Sequence, residues 1–398
     1  MRTSISGSLL ILTMLASYSA SAAGPVVELR TEEESFVGRV VAHDDNELWL
    51  EQQDGNLDLL KKAEIREFKK RSESFRPLSS TDMRAKLRKE LGTEYDVIGT
   101  GNYLVCGQKG TAKKFADSFE ETYRTFTQYF SVRGILPHKP EFPLVAIVFP
   151  NQSEFAAYAR KKDGLMGVGG IAGYYIRTSN RVALYDRDPT QTALELHPVE
   201  TRDALSILES SDSNPMRMLL GGRSAFGSDA FANIESGTRD TIIHEVTHQM
   251  AFNTGVHNRI GQNPRWFVEG LATVFEAPGI RRRDPSNRVI NRVNPERFAW
   301  FQTYRKARRP SKFLQTFLAS DEAMMRQPLD GYAEAWALTF YLLESRSREY
   351  SAYIKKVSAR EPFENYGAEE RVADFRSAFG QDLNLLEAAY LRYMQDLK

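Results

Sequence analysis

His244, Glu245 and His248 form an HExxH pattern, HEVTH, in a stretch whose apolar periodicity predicts a helix over 238–253. With about 3.6 residues per turn, residues four apart share one helix face, so both imidazoles can reach a single cation. Glu245 is offset by about 100° and would lie beside the open coordination position, where a carboxylate can take a proton from water. Two histidines on one helix are more often packing or surface residues. With only six His in the chain, the intervening Glu favours a zinc site.

A second predicted helix, over 264–273, carries Glu269, which follows His248 by 21 positions (269 minus 248). Its carboxylate lies in an apolar stretch, WFVEGLA, where a buried charge is costly unless it is paired or metal-bound. The next residue, Gly270, costs about 1 kcal/mol inside a helix, which a close approach of the two helices would explain. Glu269 is therefore the predicted third ligand, and the ordinary alternative is that it faces solvent. Weaker candidates for this ligand are Asp240, Glu276 and His257.

HEVTH followed by WFVEGLA resembles the gluzincin class of zinc metallopeptidases, and is particularly similar to the peptidase-MA-like families of exported bacterial proteins. The resemblance extends from Ser80 to about Glu344, with the two motifs as its specific part. It implies that His244, His248 and Glu269 bind Zn²⁺ and that Glu245 is the general base. The implied fold is α+β, with a zincin-like mixed-sheet lobe over a helical lobe.

The same resemblance implies further site residues by position. Tyr332 is the candidate for a second catalytic residue that stabilises the oxyanion, because a phenol or imidazole commonly does so in this class. An edge strand over 171–176 would pair with the substrate backbone, which makes Gly173 and Tyr174 the candidate substrate-binding residues. Thermolysin-like relatives carry an Asp one turn after the Glu ligand, whereas this chain has Thr273. The exopeptidase motif of aminopeptidases is absent, so recognition of a free N-terminus is not predicted.

Residues 1–23 have the pattern of a secretory signal peptide, with Arg2, a short apolar run and the small residues Ala20-Ser21-Ala22. This pattern predicts an exported protein, periplasmic or secreted. Alternating apolar residues over 24–70 predict a small antiparallel β-barrel of the Sm-like or Src-homology-3-like kind, more plausibly an accessory module than a ligand site. Residues 77–237 would form the α/β lobe, including a long loop over 202–237, and residues 238–398 the helical lobe.

Composition excludes several classes of protein. Lys+Arg 53 against Asp+Glu 52 gives no general attraction to nucleic acid, and a single Cys excludes a disulfide framework. No apolar run is long enough for a transmembrane helix. The glycine-rich run at 164–173 lacks the phosphate-loop pattern. The basic runs at 281–283 and 305–309 predict a solvated face, with a preference for acidic peptides as the lesser possibility.

Together these features predict an exported zinc-dependent hydrolase, a metallopeptidase whose partner is a peptide or protein substrate. The alternative is a catalytically inactive protein on a zincin scaffold that acts in binding or as a cell-envelope adaptor. An intact HEVTH argues against this alternative, because a protein without catalytic activity would no longer need Glu245 and could replace it first. The sequence does not indicate the oligomeric state or the identity of the substrate.

Overall fold

The computed structural model describes residues 24–186, 234, 236–281 and 288–397. The predicted signal segment, 1–23, and nearly all of the predicted loop over 202–237 lie outside these residues. The described part of the chain forms two five-stranded sheets and 12 α-helices, which is a mixed α+β fold as predicted. No helix among the described residues is long and apolar enough to cross a membrane.

The N-terminal part is an antiparallel sheet with the strand order β4-β3-β2-β1-β5. Its strands are β1 (Val26–Arg30), β2 (Ser35–His43), β3 (Glu47–Glu51), β4 (Leu57–Lys61) and β5 (Glu67–Ser72). Turns at Asp44-Asp45-Asn46 and at Asp54-Gly55 separate β2 from β3 and β3 from β4, and Gly55 has the left-handed φ of 84° that a tight turn requires.

The predicted closed β-barrel is wrong, because β4 and β5 do not pair in the described structure and the sheet stays open. Alternation of apolar residues reports which face of a strand is buried, and it carries no information on how a sheet edge is satisfied. Here the edge strand β4 begins with a hydrogen bond from the Leu57 N–H to the Thr178 carbonyl (2.8 Å), outside this sheet. The N-terminal sheet therefore contacts the turn at Thr178, between the last two strands of the second sheet along the chain.

The second sheet is mixed, with the order β6-β7-β8-β10-β9. Its strands are β6 (Tyr95–Gly99), β7 (Tyr103–Gln108), β8 (Leu144–Phe149), β9 (Gly173–Ile176) and β10 (Arg181–Tyr185). The strands β7, β8 and β10 are parallel, and β6 and β9 pair antiparallel at the two edges. The accompanying helices are α1 (Ser80–Leu91), α2 (Ala112–Ser131) and α3 (Gln152–Asp163). Alternate residues of the buried strands face two separate hydrophobic clusters, one on each side of this sheet.

The remainder of the described chain is helical. It comprises α4 (Ser236–Asn253), α5 (Arg265–Phe275), α6 (Pro295–Ala307), α7 (Leu314–Ala319), α8 (Glu322–Arg326), α9 (Pro328–Ser345), α10 (Ser347–Ser358), α11 (Ala368–Phe379) and α12 (Leu383–Asp396). Every residue of α5 from Trp266 to Phe275 is buried. The helix α4 lies against the second sheet, where the Gln249 amide donates to the carbonyls of Val145 and Asn180, both at 3.0 Å.

Gly270 permits a close contact between α5 and α9. A Cβ at this position would lie 2.2 Å from Thr339 Oγ1 and 2.6 Å from the Ala335 carbonyl oxygen, both on α9. The close approach that Gly270 predicts is therefore present, but it occurs between α5 and α9 instead of between the two helices that carry the predicted metal ligands. Glu269, one residue earlier, is left to face α4.

Candidate metal centre

Two buried helices bring the three predicted ligands together. His244 and His248 are one turn apart on α4, and Glu269 is near the middle of α5. All three side chains are at most 1% exposed. The two imidazoles contact each other edge to face, with ring centroids 4.6 Å apart. The sequence prediction that Glu269 faces the histidines is therefore realised, and the solvent-facing alternative is excluded.

The ligand atoms converge on one point. His244 Nε2 lies 3.1 Å from His248 Nε2, and Glu269 Oε2 lies 3.4 Å from the first nitrogen and 3.7 Å from the second. Glu269 Oε2 makes no hydrogen bond to any described residue although it is fully buried. A buried carboxylate oxygen in this state is costly unless it binds something else. Within the described structure, His244, His248 and Glu269 form a group that could hold a metal ion.

The charges of the protein without metal follow from the same contacts. Burial by itself lowers the pKa of His244, but the neighbouring carboxylates of Glu269 and Glu276 outweigh it and raise that pKa to about 9. Burial raises the pKa of Glu269, and the neighbouring histidines outweigh this effect and lower it to about 2. Metal-free protein therefore holds a protonated imidazole beside a charged carboxylate. A cation would have to displace that proton.

Glu276 was a weaker candidate for the third metal ligand, but in the structure it lies behind His244, away from the convergent ligand atoms. At the end of α5, its Oε1 accepts a hydrogen bond from His244 Nδ1 at 2.9 Å. Its Oε2 accepts from the Asn294 amide at 3.0 Å and lies 3.4 Å from an Arg297 nitrogen. A carboxylate on Nδ1 places the proton there and leaves Nε2 as the metal-binding atom. The other imidazole differs, because His248 Nδ1 has no hydrogen-bond partner among the described residues.

Glu245 and Tyr332 both lie in the interior near this group. Glu245 is buried on α4, and its charge contributes to the raised pKa of His244. Tyr332 is fully buried near the start of α9. Burial raises the pKa of the Tyr332 hydroxyl and the charge of Glu269 raises it further, while the charge and hydrogen bond of Arg265 act in the opposite direction. Tyr332 is thus a neutral phenol within electrostatic range of Glu269.

The predicted substrate-binding residues have different surroundings. A Cβ on Gly173 would lie 2.7 Å from Thr241 Cγ2, so the edge strand β9 runs directly against α4, one turn before Glu245. The Tyr174 side chain belongs to the hydrophobic cluster on the other side of the sheet, and its hydroxyl donates to Asp163 Oδ2 at 2.8 Å. Any contact of Tyr174 with a ligand at the His-His-Glu group would therefore use its main chain.

His257, the other weaker ligand candidate, is buried between the rings of Phe252 and Phe267. Burial and the charge of His248 hold the pKa of His257 well below its usual value, so the ring stays neutral. The group of three potential ligands in the described structure does not include His257.

The second basic run is solvated only in part, because Lys306 and Arg308 are exposed whereas the Arg309 side chain is not. Arg309 is buried and pairs with Glu334 at 2.7 Å and with Glu387 at 2.6 Å. Arg308 pairs with Asp330. These carboxylates lie 22 to 78 positions away in the sequence, so the pairing could not be seen from local composition. The side chains of the first run, 281–283, lie outside the described residues.

The described part of this protein thus combines a mixed α+β fold with a buried His-His-Glu group that could hold a metal ion. The family model described as Protein of unknown function (DUF1570) matches residues 238–364, a segment that contains the three residues of the group, Glu245 and Tyr332. No curated protein matches the chain. Since the family description names no activity, the gluzincin resemblance remains a prediction.

Proposed function

We propose that this protein is an exported zinc-dependent hydrolase that cleaves peptide bonds, with His244, His248 and Glu269 as the metal ligands and Glu245 as the general base. The observation that carries the proposal is the convergence of three buried ligand atoms 3.1 to 3.7 Å apart. One of them is a carboxylate oxygen that makes no hydrogen bond to the described part of the chain. Tetrahedral ligands at about 2.0–2.1 Å from zinc would lie about 3.3 Å from one another, so the donor set fits.

When bound, the zinc ion would supply a Lewis acid that polarises the peptide carbonyl and makes a neighbouring water more acidic. Glu245 takes the proton of that water and returns it to the leaving amine, as a positioned general base does. Glu276 fixes the orientation and proton position of His244. Tyr332, a neutral phenol near Glu269, is the candidate donor to the developing oxyanion.

The position of β9 favours an extended peptide as the substrate. This strand is the outer strand of its sheet and lies against α4 at Thr241, one helical turn from Glu245. An extended chain that adds to a strand edge is held by main-chain hydrogen bonds, which recognise peptides of many sequences. The proposal of export rests on the signal pattern over 1–23.

The proposal is tested by counting zinc ions in native mass spectra of the mature protein, after metal-replete purification. We expect about one zinc per chain, and a marked loss in Glu269→Ala, because one of the three ligands is removed. The control is Glu322→Ala, a surface carboxylate whose side chain is 56% exposed, which should keep the metal. Absence of zinc from the unmodified protein would overturn the proposal. Equal zinc content in Glu269→Ala would show that another residue is the third ligand.

The same preparations are then incubated with a mixture of unmodified peptides, and new termini are identified by mass spectrometry. We expect cleavage by the zinc-loaded protein that stops on addition of a chelator and returns with zinc. Zinc-loaded protein that cleaves no peptide would favour the alternative, a binding or adaptor protein on this scaffold.

A further inference from the structure

A cavity of about 360 Å³ opens onto Glu269 from the side of the second sheet and α11. It is unusually rich in arginine, since three of its ten lining residues are Arg177, Arg265 and Arg371, against the two carboxylates of Glu269 and Asp321. Once a divalent cation is bound, it neutralises the negative charge of Glu269. The remaining lining of the cavity is then strongly positive.

Two of these arginines are already engaged with protein groups. Arg371 pairs with Asp321 at 2.9 Å and also donates to the Tyr366 carbonyl at 2.9 Å. Arg265 forms a hydrogen bond with the Tyr332 hydroxyl. The charge of Arg371 is therefore partly balanced by a carboxylate, and Arg265 already directs a donor to the neutral Tyr332.

Arg177 differs from both, because it has no carboxylate partner among the residues that the structure describes. One nitrogen, Nη1, donates to the Gly261 carbonyl at 3.0 Å, and the guanidinium lies 5.5 Å from the centre of the Phe252 ring. A guanidinium has five N–H donors, so four of them make no hydrogen bond to the described residues. The side chain is only partly buried and lines the cavity, so these donors remain available to a ligand.

The main chain of Arg177 is held in place from the opposite side. Its carbonyl accepts hydrogen bonds from Arg259 Nε at 3.0 Å and from Arg259 Nη2 at 2.9 Å. Arg259 in turn pairs with Glu51 of the N-terminal sheet at 3.0 Å. A positioned guanidinium with spare parallel donors binds a carboxylate through two hydrogen bonds with little loss of conformational freedom.

We propose that Arg177 forms a subsite that binds a carboxylate of the peptide substrate, and so determines the specificity of the metal centre next to it. The inference rests on the proposed peptidase function, which it deepens by naming the chemistry of the favoured substrate. The carboxylate could belong to an Asp or Glu side chain or to a free C-terminus, because both present the same planar oxygen pair to the guanidinium.

The test compares matched peptides that differ only by Glu against Gln at each position, each with a free and an amidated C-terminus. For the zinc-loaded protein, we expect a kcat/KM about 10- to 100-fold higher for the peptides that carry the carboxylate in the favoured position. Loss of the preference on amidation would identify the C-terminal carboxylate, and its persistence the side chain. Equal rates for all pairs would overturn the inference and leave the proposed function intact.

The variants Arg177→Gln and Arg177→Lys separate recognition from support of the fold. We expect Arg177→Gln to abolish the preference, with the rate for the neutral peptides largely kept. Arg177→Lys should keep part of the preference, because the positive charge remains but the bidentate hydrogen bonding of the guanidinium is lost. Arg346→Gln, at a surface arginine whose side chain is 44% exposed, should behave like the unmodified protein. A preference that survives in Arg177→Gln would overturn the inference.

A binding measurement keeps the inference testable if no peptide is cleaved, in which case the proposed function fails independently. The same peptide pairs are titrated calorimetrically into zinc-loaded protein carrying Glu245→Gln, with and without Arg177→Gln. We expect tighter binding of the carboxylate peptides, by about 10-fold or more, only where Arg177 is present. Equal affinities for both members of each pair would overturn the inference.

Discussion

The carboxylate of Glu276 lies 2.9 Å from Nδ1 of His244, on the side of the imidazole opposite the convergent ligand atoms. Glu276 follows Glu269 by seven residues (276 minus 269), two helical turns along α5. The resemblance of the motifs to gluzincins would place a supporting Asp one turn after Glu269, and at that position this chain has Thr273. The Thr273 hydroxyl instead donates to the carbonyls of Glu269 and Gly270, at 2.8 and 2.9 Å. The His244 imidazole is therefore supported by Glu276, which lies about one turn after Thr273.

The support by Glu276 predicts a measurable contribution to metal affinity. Glu276→Ala should weaken zinc binding about 10- to 100-fold, because His244 loses the partner that fixes its proton on Nδ1. Glu276→Gln should lose less, since an oxygen acceptor remains while the charge does not. Affinities are measured by competition with a chromophoric chelator. Unchanged affinity in Glu276→Ala would show that the hydrogen bond does not support the ligand.

Glu245 is expected to contribute to turnover and not to metal retention. Glu245→Gln should keep about one zinc per chain and lose about 10²- to 10⁴-fold in kcat, because the amide cannot accept a proton from water. Zinc content by mass spectrometry and initial rates on one cleaved peptide are compared with the unmodified protein. A variant that loses its zinc would show that Glu245 is needed to hold the metal. Full activity would exclude it as the general base.

Gly270 is predicted to be intolerant of a side chain. In Gly270→Ala the new methyl group would collide with Thr339 and with the main chain of Ala335, and α5 and α9 would have to separate. We expect a loss of about 1–3 kcal/mol in the free energy of unfolding, measured by urea denaturation. The matched control is Gly169→Ala, where an added Cβ would meet no atom within 4 Å. Equal losses in both variants would contradict the close-contact explanation.

Glu344 predicts a pH dependence of stability that is independent of the metal. Burial by itself raises the pKa of Glu344, but hydrogen bonds and charges from Arg292 and Arg133 outweigh it and hold that pKa below its usual value. Since the folded-state pKa is the lower one, this interaction stabilises the protein above the unfolded-state pKa of about 4.3. The stabilisation is lost as the pH falls through the folded-state pKa.

The variant that tests this relation is Glu344→Gln. At pH 7 it should be less stable by about 1–3 kcal/mol, because charge-assisted hydrogen bonds to two arginines are weakened. The difference from the unmodified protein should shrink as the pH is lowered from about 7 to 3 in urea titrations. Glu349→Gln, at a partly exposed pair with Arg346, should change stability little at any pH. A constant difference across the pH range would contradict the lowered pKa.

The three potential ligands could be predicted from local information. The HEVTH spacing places both histidines on one face of α4, and the apolar neighbours of Glu269 make its burial without a partner costly. Tertiary contacts decided the functions of the other polar residues. Glu276 was one of several candidate ligands in the sequence, and only the packing of α5 against α4 places it behind His244. Arg177 gave no local signal, because its significance depends on its having no carboxylate partner among the described residues, which only the tertiary structure shows.

The helices that carry the histidines and Glu269 could be predicted from apolar periodicity and from helix-ending residues within about 20 positions. The α+β class was predicted from the resemblance of the two motifs to gluzincins. Only the tertiary structure decided that the N-terminal sheet stays open, that Gly270 serves the contact with α9, and that Arg309 is buried between Glu334 and Glu387. These outcomes depend on which distant surfaces meet. The free energy of such contacts comes from packing and charge pairing that no local window of sequence contains.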